Sequence, residues 1–184
     1  MSRADIEKPD LILLGWRGQV RGSNMTGVAK AADRSVMVLK DNGLDGVRRI
    51  LVPVGSGPHS RLGLSVAQQL AGSWGADITA MTVLKGEGHD KARDEFEHES
   101  LELFRTLAED KVREALEQTG VTAEVKAVIG TDVAQAILDT AEGHELIIIG
   151  ASDEWTVRQW LFGSLPDEVA NNAEASVLMV RSGE

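Results

Sequence analysis

The chain contains no cysteine. It therefore has no disulfide framework and no thiolate chemistry. Basic residues are scarce: 19 Lys and Arg stand against 29 Asp and Glu, a formal net charge of −10. That balance disfavours a nucleic-acid partner, which asks for a basic face. Long apolar runs are missing too, and nothing approaches the length that spans a membrane. The first residues, Met1-Ser-Arg-Ala-Asp-Ile-Glu-Lys8, lack the apolar centre of a signal peptide. A cytoplasmic location is the expectation. His59, His89, His98 and His144 are scattered without ligand spacing, so no metal is expected. No Walker-type Gly-Lys-Ser and no Gly-x-Ser-x-Gly elbow occurs. These absences argue against an enzyme.

What is present is a soluble globular profile, 42% apolar and 26% charged, in 184 residues. That length holds one full domain and something more. The something more is visible as a repeat. Asp10-Leu-Ile-Leu-Leu-Gly15 matches Glu145-Leu-Ile-Ile-Ile-Gly150, and Gly22-Ser23 aligns with Gly163-Ser164. From there the register runs without a gap to Val36–Lys40 and Val177–Arg181. Each copy reads strand, glycine-bearing loop, Gly-Ser, helix, strand. The chain thus holds one and a half copies of a module. Residues 1–46 form the half copy with a linker, Asp41–Gly46, and residues 47–184 the full copy.

Within the full copy, strands are expected at Ile50–Val54, Ile78–Leu84, Glu124–Ile129, Leu146–Ile149 and Val177–Val180. The first, fourth and fifth are continuous apolar runs, the mark of strands buried on both faces. Leu62, Val66, Ala67, Leu70, Ala71 and Trp74 predict one helix. A charged helix from about Lys91 to Gln118 is expected to bury Leu101, Phe104, Ala108, Val112 and Ala115, with Gly120 as its stop. Thr131 is expected to cap a third helix. In the half copy, Ser23 is the expected cap of a short helix over Met25–Asp33. Alternating strands and helices make an α/β domain with a doubly wound, mostly parallel sheet. Ligands on such sheets sit beyond the carboxyl ends of the strands, at the switch point.

The loop after the fourth strand runs from Gly150 to Gly163-Ser164. It has the composition of a phosphate cradle at a helix start. The same residues also suit an ordinary helix start, with Pro166 in the first turn and acidic residues after it. Trp155, Trp160 and Phe162 concentrate in this loop, either packing onto the domain's own sheet or anchoring a partner.

Gly150, Gly163 and Ser164 resemble the G-x2-G-x9-G-[ST] pattern of the universal stress protein domains. Ile50-Leu-Val-Pro-Val54 resembles that family's first strand. The resemblance covers residues 48–181 as a whole module and 9–40 as half of another. It implies five parallel strands in the order 3-2-1-4-5 and pairing through strand five, as a dimer or as an intrachain pseudo-dimer. It also implies ATP or AMP held by Pro53, Val54, Gly55, Val83 and Gly130 on the adenine side. Gly150, Gly163 and Ser164 would take the phosphates. Gly163→Val would then abolish binding with the fold intact. Two positions depart from the pattern. Gly55 stands where nucleotide binders carry Asp, and Asp153 stands for the second glycine, with Glu154 beside it and Arg158 as a compensating charge. A nucleotide-free interaction module is the alternative. Tandem modules with a Leu161-Phe-Gly-Ser164 type of loop also resemble the soluble tails of prokaryotic amino-acid permeases, which implies the membrane part of a transporter as a partner.

Overall fold

The computed structural model describes residues 11–16, 33–85, 96–152 and 162–183. The helix expected over Met25–Asp33 with its Ser23 cap, and the loop from Asp153 through Trp155, Arg158 and Trp160 to Leu161, lie outside the described residues, Asp33 excepted. Among these residues there are seven strands: β1 (Leu11–Gly15), β2 (Ser35–Lys40), β3 (Arg49–Pro53), β4 (Asp77–Lys85), β5 (Glu124–Gly130), β6 (Leu146–Gly150) and β7 (Ser176–Arg181). Among the described residues there are four helices, between the later strands: α1 (Pro58–Trp74), α2 (Phe96–Thr119), α3 (Val133–Thr140) and α4 (Ser164–Asn172).

All seven strands form one sheet in the order β1-β2-β7-β6-β3-β4-β5. The five strands of the full copy are parallel and lie in the expected order. The sheet is longer than that module because the half copy adds β2 and β1 to its edge. β1 and β2 are parallel to each other, whereas β2 meets β7 antiparallel, Val38 opposite Met179. The two copies of the repeat therefore face each other through their last strands across a local two-fold. The pairing has a clear cause. β7 contains the run Val177-Leu-Met-Val180 without a charge or proline to blunt it, and such an edge is stable only when covered. Every residue of β7 is buried.

Apolar residues on both faces explain why the sheet is a middle layer. On one face α1 and α2 bury Leu64, Ala67, Ala71, Val112 and Leu116 against Ile50, Val52, Ile148 and Val180. On the other, α3 and α4 bury Ala134, Ile137, Val169 and Ala170 against Leu51, Ile147, Ile149 and Met179.

Several helix details differ from the sequence expectation. α1 turns Gly63 and Leu64 to the sheet, and Trp74 at its end is exposed. A small residue is required there, because a Cβ on Gly63 would already touch Val180 and Ile148. In α2 the buried stripe is Ala108, Val112 and Leu116, while Phe104, Leu103 and Leu107 are exposed. Gly120 does stop that helix, in the left-handed conformation at φ +67°. Asp132, not Thr131, caps α3, its side chain accepting from the Gln135 N–H at 3.1 Å. Phe162 is fully buried in the core, so it packs on its own sheet and is not a partner anchor.

The stretch after β2 is more than a spacer. Lys40 Nζ donates to the carbonyl of Ala170 at 2.6 Å. Asn42 Nδ2 donates to the carbonyls of Ala173 and Ala175 at 2.9 and 3.0 Å, and its backbone N–H to Ser176 Oγ at 3.0 Å. Asp41 Oδ1 accepts from the N–H groups of Gly43 and Leu44 at 2.9 Å, closing the turn. The N–H groups of Leu44 and Gly43 hold the Asp41 carboxyl below the usual range.

Candidate functional site

Parallel β3 and β6 are neighbours, and the chain leaves them in opposite directions along the sheet, toward β4 and β7. Their carboxyl ends form the switch point. Pro53 is the last residue of β3, and the N–H of Val54 extends the ladder to the Met81 carbonyl at 2.7 Å. Val83 follows two positions along β4. Gly130 ends β5, where a Cβ would come within 3.1 Å of Ala136 and 3.8 Å of Val83. Gly150 ends β6, and Gly163 and Ser164 open α4. All eight residues of the expected site thus lie at one end of the sheet.

They fall into two groups. Val83 and Gly130 are adjacent on the β4–β5 side. Gly55 and Gly150 meet around the first turn of α1: Ser60 Oγ accepts from the Gly55 N–H at 3.0 Å, and a Cβ on Gly150 would sit 2.8 Å from the carbonyl carbon of His59. Gly163 joins this second group through Ser152, whose N–H donates to the Phe162 carbonyl at 2.8 Å. At φ +109° Gly163 occupies a backbone region that side chains avoid, and a Cβ there would overlap Ser152 Oγ. Gly163→Val is therefore not neutral for the fold, contrary to the expectation. Both loop glycines are demanded by packing as well as by any ligand.

The geometry also corrects the role of Ser164. Gly163 is the N-cap of α4, and Ser164 is the first helical residue. α1 likewise starts from a glycine, Gly57, without a side-chain cap. Two helix starts with no side-chain cap thus border the same end of the sheet, an arrangement that favours an anion.

Three residues here were passed over in the sequence. His59 has no ligand-spaced partner in the sequence and Ser60 carries no motif, yet Pro58 at the first turn is the available signal that α1 begins there. The Ser182 N–H donates to His59 Nδ1 at 3.1 Å, so the lone pair is on Nδ1 and the ring proton on Nε2. Arg181 ends β7 at this same end. It is buried, burial pulls its guanidinium pKa down, and strand alternation puts it on the α4 face with Met179.

A hollow of about 1350 Å³ lies between α3 and α4 and reaches the opposite end, around Asp45, Glu142, Glu145 and Glu174. Its carboxylates suit no polyphosphate. Glu145 Oε2 accepts from the N–H groups of Arg49 and Arg48 at 2.8 and 3.0 Å. Burial pushes this carboxyl up, but those N–H donors outweigh it and hold the pKa below the usual range. Beside it His144 Nε2 lies 3.3 Å from Thr79 Oγ1. Burial, with the Arg49 charge, pulls the His144 pKa down. Among the described residues no group of His, Asp or Glu has the arrangement of a metal site.

Residues 46–181 match the family model of the universal stress protein family. The chain belongs to that family. Universal stress protein UspA from Lactobacillus plantarum is 25% identical, covering 74% of this chain and 99% of its own, with a TM-score of 0.57. A universal stress protein from Archaeoglobus fulgidus DSM 4304 is 20% identical with a TM-score of 0.66. That match covers 98% of this chain, half copy included, and 63% of the Archaeoglobus chain. A universal stress protein solved in complex with cAMP is 17% identical, covering 75% of this chain and 99% of its own, with a TM-score of 0.55. Curated proteins provide no significant match.

Proposed function

We propose that this universal stress protein is a non-catalytic regulatory module that takes an adenine nucleotide at the β3–β6 switch point and transmits its occupancy through the β2–β7 pairing. The observation that carries the reading is that two glycine-started helices, α1 and α4, both begin at that end of the sheet, one on each face. Their first N–H groups present a positive end to an anion. Buried Arg181 adds a full charge nearby. A relative of the same fold holds cAMP. Phosphates would face Gly163 and Ser164, and the base would lie toward Val83 and Gly130.

The test is calorimetric titration with ATP, AMP and cAMP up to millimolar concentration, alongside Gly55→Asp. That substitution restores the carboxylate that the family resemblance implies. It also fits sterically, since a Cβ on Gly55 would meet only Ser60 Oγ, at an ordinary 3.5 Å. Binding by the native chain, tightened in Gly55→Asp, supports the reading. No heat with either protein leaves a ligand-free pairing module. That second reading is favoured by the Lys40–Asn42 clamp, which holds the two copies together without any ligand.

The same proposal extends to attachment to a transporter. No helix among the described residues is long and apolar enough to cross a membrane. The support is the tandem arrangement and the Leu161-Phe-Gly-Ser164 loop. Co-fractionation of the natively expressed protein with membranes checks it.

A further inference from the structure

The two ends of the β2–β7 seam are built differently. At one end the Asn42 amide bridges to the carbonyls of Ala173 and Ala175. At the other end the antiparallel register runs on past Val36 and Arg181, which sets Ser35 opposite Ser182 and Arg34 opposite Gly183. A hollow of about 460 Å³ lies there, between the start of β2 and the first turns of α1. Arg34 and Ser35 line it from the half copy, and Arg61, Ser65 and Ser182 from the full copy.

The backbone around this hollow is held from both sides. The Ser182 N–H donates to His59 Nδ1 at 3.1 Å, which ties the end of β7 to the first turn of α1. A Cβ on Gly183 would come within 2.5 Å of the Arg34 carbonyl carbon, so the two copies meet there backbone to backbone. The two arginines thus stand on elements that are fixed to one another, although they come from different copies of the repeat.

Charge decides what the hollow suits. The chain as a whole carries a net charge of −10, yet here two guanidiniums face a single carboxylate, Asp33, among the described lining residues. Asp33 lies 3.5 Å from Arg34 Nε and is 87% exposed, so water screens that pair. Among the described residues Arg61 forms no ion pair. Ser65 Oγ gives its proton to the Arg61 carbonyl at 3.0 Å and so offers an anion no donor, whereas the Ser35 hydroxyl can supply one.

We infer that this hollow binds a phosphate group, which bridges Arg34 and Arg61 and closes the seam between the two copies. Guanidiniums present paired N–H donors that match phosphate oxygens. A dianion answers two converging cations, where a lone screened carboxylate does not. The described lining belongs to α1 and the seam and includes no residue of α4, so this site is separate from the nucleotide site at Gly163 and Ser164.

The experiment follows the Nε–H resonances of Arg34 and Arg61 in the 184-residue chain while inorganic phosphate replaces chloride at constant ionic strength. Both should shift saturably with one binding constant. Arg34→Gln and Arg61→Gln should each weaken that binding by about tenfold or more, because each removes a charged donor. Asp33→Asn should tighten it, because the competing carboxylate is gone. None of the three residues is buried, so the variants keep the fold, and melting curves without phosphate verify this. A parallel titration with glycerol 3-phosphate separates two sources of the group: tighter binding than inorganic phosphate means a phosphate carried on a larger molecule, and weaker binding means the free ion. Resonances that stay in place, or that drift linearly without saturating, overturn the inference. Phosphate binding that survives both arginine substitutions overturns it as well; it would put the anion at the starts of α1 and α4 and leave the nucleotide reading standing.

Discussion

Asn42 and Ala173 are 131 positions apart in the chain, and the Asn42 side-chain amide donates to the Ala173 carbonyl at 2.9 Å. The same amide reaches the Ala175 carbonyl at 3.0 Å, and so spans the turn between α4 and β7. The half copy is therefore latched to the full copy by side chains as well as by strand pairing. Asn42→Ala should cost about 1–2 kcal/mol, because two carbonyls lose a donor. A chain of this size would then melt roughly 2–8 °C lower. Asn42→Asp should cost more, since it sets a carboxylate against carbonyl oxygens. Melting curves of the two variants check the order; an Asp variant as stable as the native chain would mean the latch contributes nothing.

Acid should loosen the amino end of the sheet. Glu145, Asp41 and His144 all have pKa values below their ordinary ones in the folded chain. For a lowered pKa the unfolded chain binds the proton more readily. Stability is then full above the unfolded value and is lost as pH falls through the folded one. His144 contributes first, as pH drops below about 6.5, and the two carboxylates below about 4.5. Melting temperature should fall steadily on acidification from pH 7. Glu145→Gln should flatten the lower part of that curve and His144→Gln the upper part. An unchanged pH profile in both variants would contradict the assignment.

The repeat offers a paired test of what the loop glycines do. Gly150→Ala drives a methyl into the His59 backbone and should destabilise by about 2 kcal/mol or more, in the tail of single-site effects. Gly163→Ala adds a positive φ to its overlap with Ser152 and should cost at least as much. Gly15→Ala meets open space and should stay within about 0.5 kcal/mol of the native chain. Denaturant titration of the three variants reads this directly.

The strands were readable because buried parallel strands are written as continuous apolar runs, as in Leu146–Ile149 and Val177–Val180. Gly120 and the two glycine loops were readable because their backbone conformations are local properties. The five-strand order came only from resemblance, since no local feature encodes which strand neighbours which. The Asn42 latch had no signature: its partners are remote, and Asp41-Asn-Gly reads as a plain turn. For the site, sequence placed the eight residues at one end of the sheet. It missed that His59, Ser60 and Ser152 pack against the glycines, because contacts between loops of different strands leave no periodicity. It also misplaced Phe104, since an amphipathic pattern marks a stripe without saying how far along the helix the sheet covers it.

That last point gives a test of where the core ends along α2. The helix is 24 residues long, and among its residues of described burial, 101–119, the buried ones are Ala108, Val112 and Leu116. Phe104 is 57% exposed. Leu116→Ala removes a buried side chain beside Val112 and Ala115 and should cost about 2–4 kcal/mol through lost burial and the cavity left behind. Phe104→Glu removes little burial from the folded chain and should change stability by no more than about 0.5 kcal/mol. It should also lower any tendency to aggregate, because Leu103, Phe104 and Leu107 together present an apolar patch to solvent. Equilibrium unfolding of both variants, with light scattering on the second, separates the two regions. A large loss of stability in Phe104→Glu would mean that the core extends further toward the start of α2 than the exposed surface indicates.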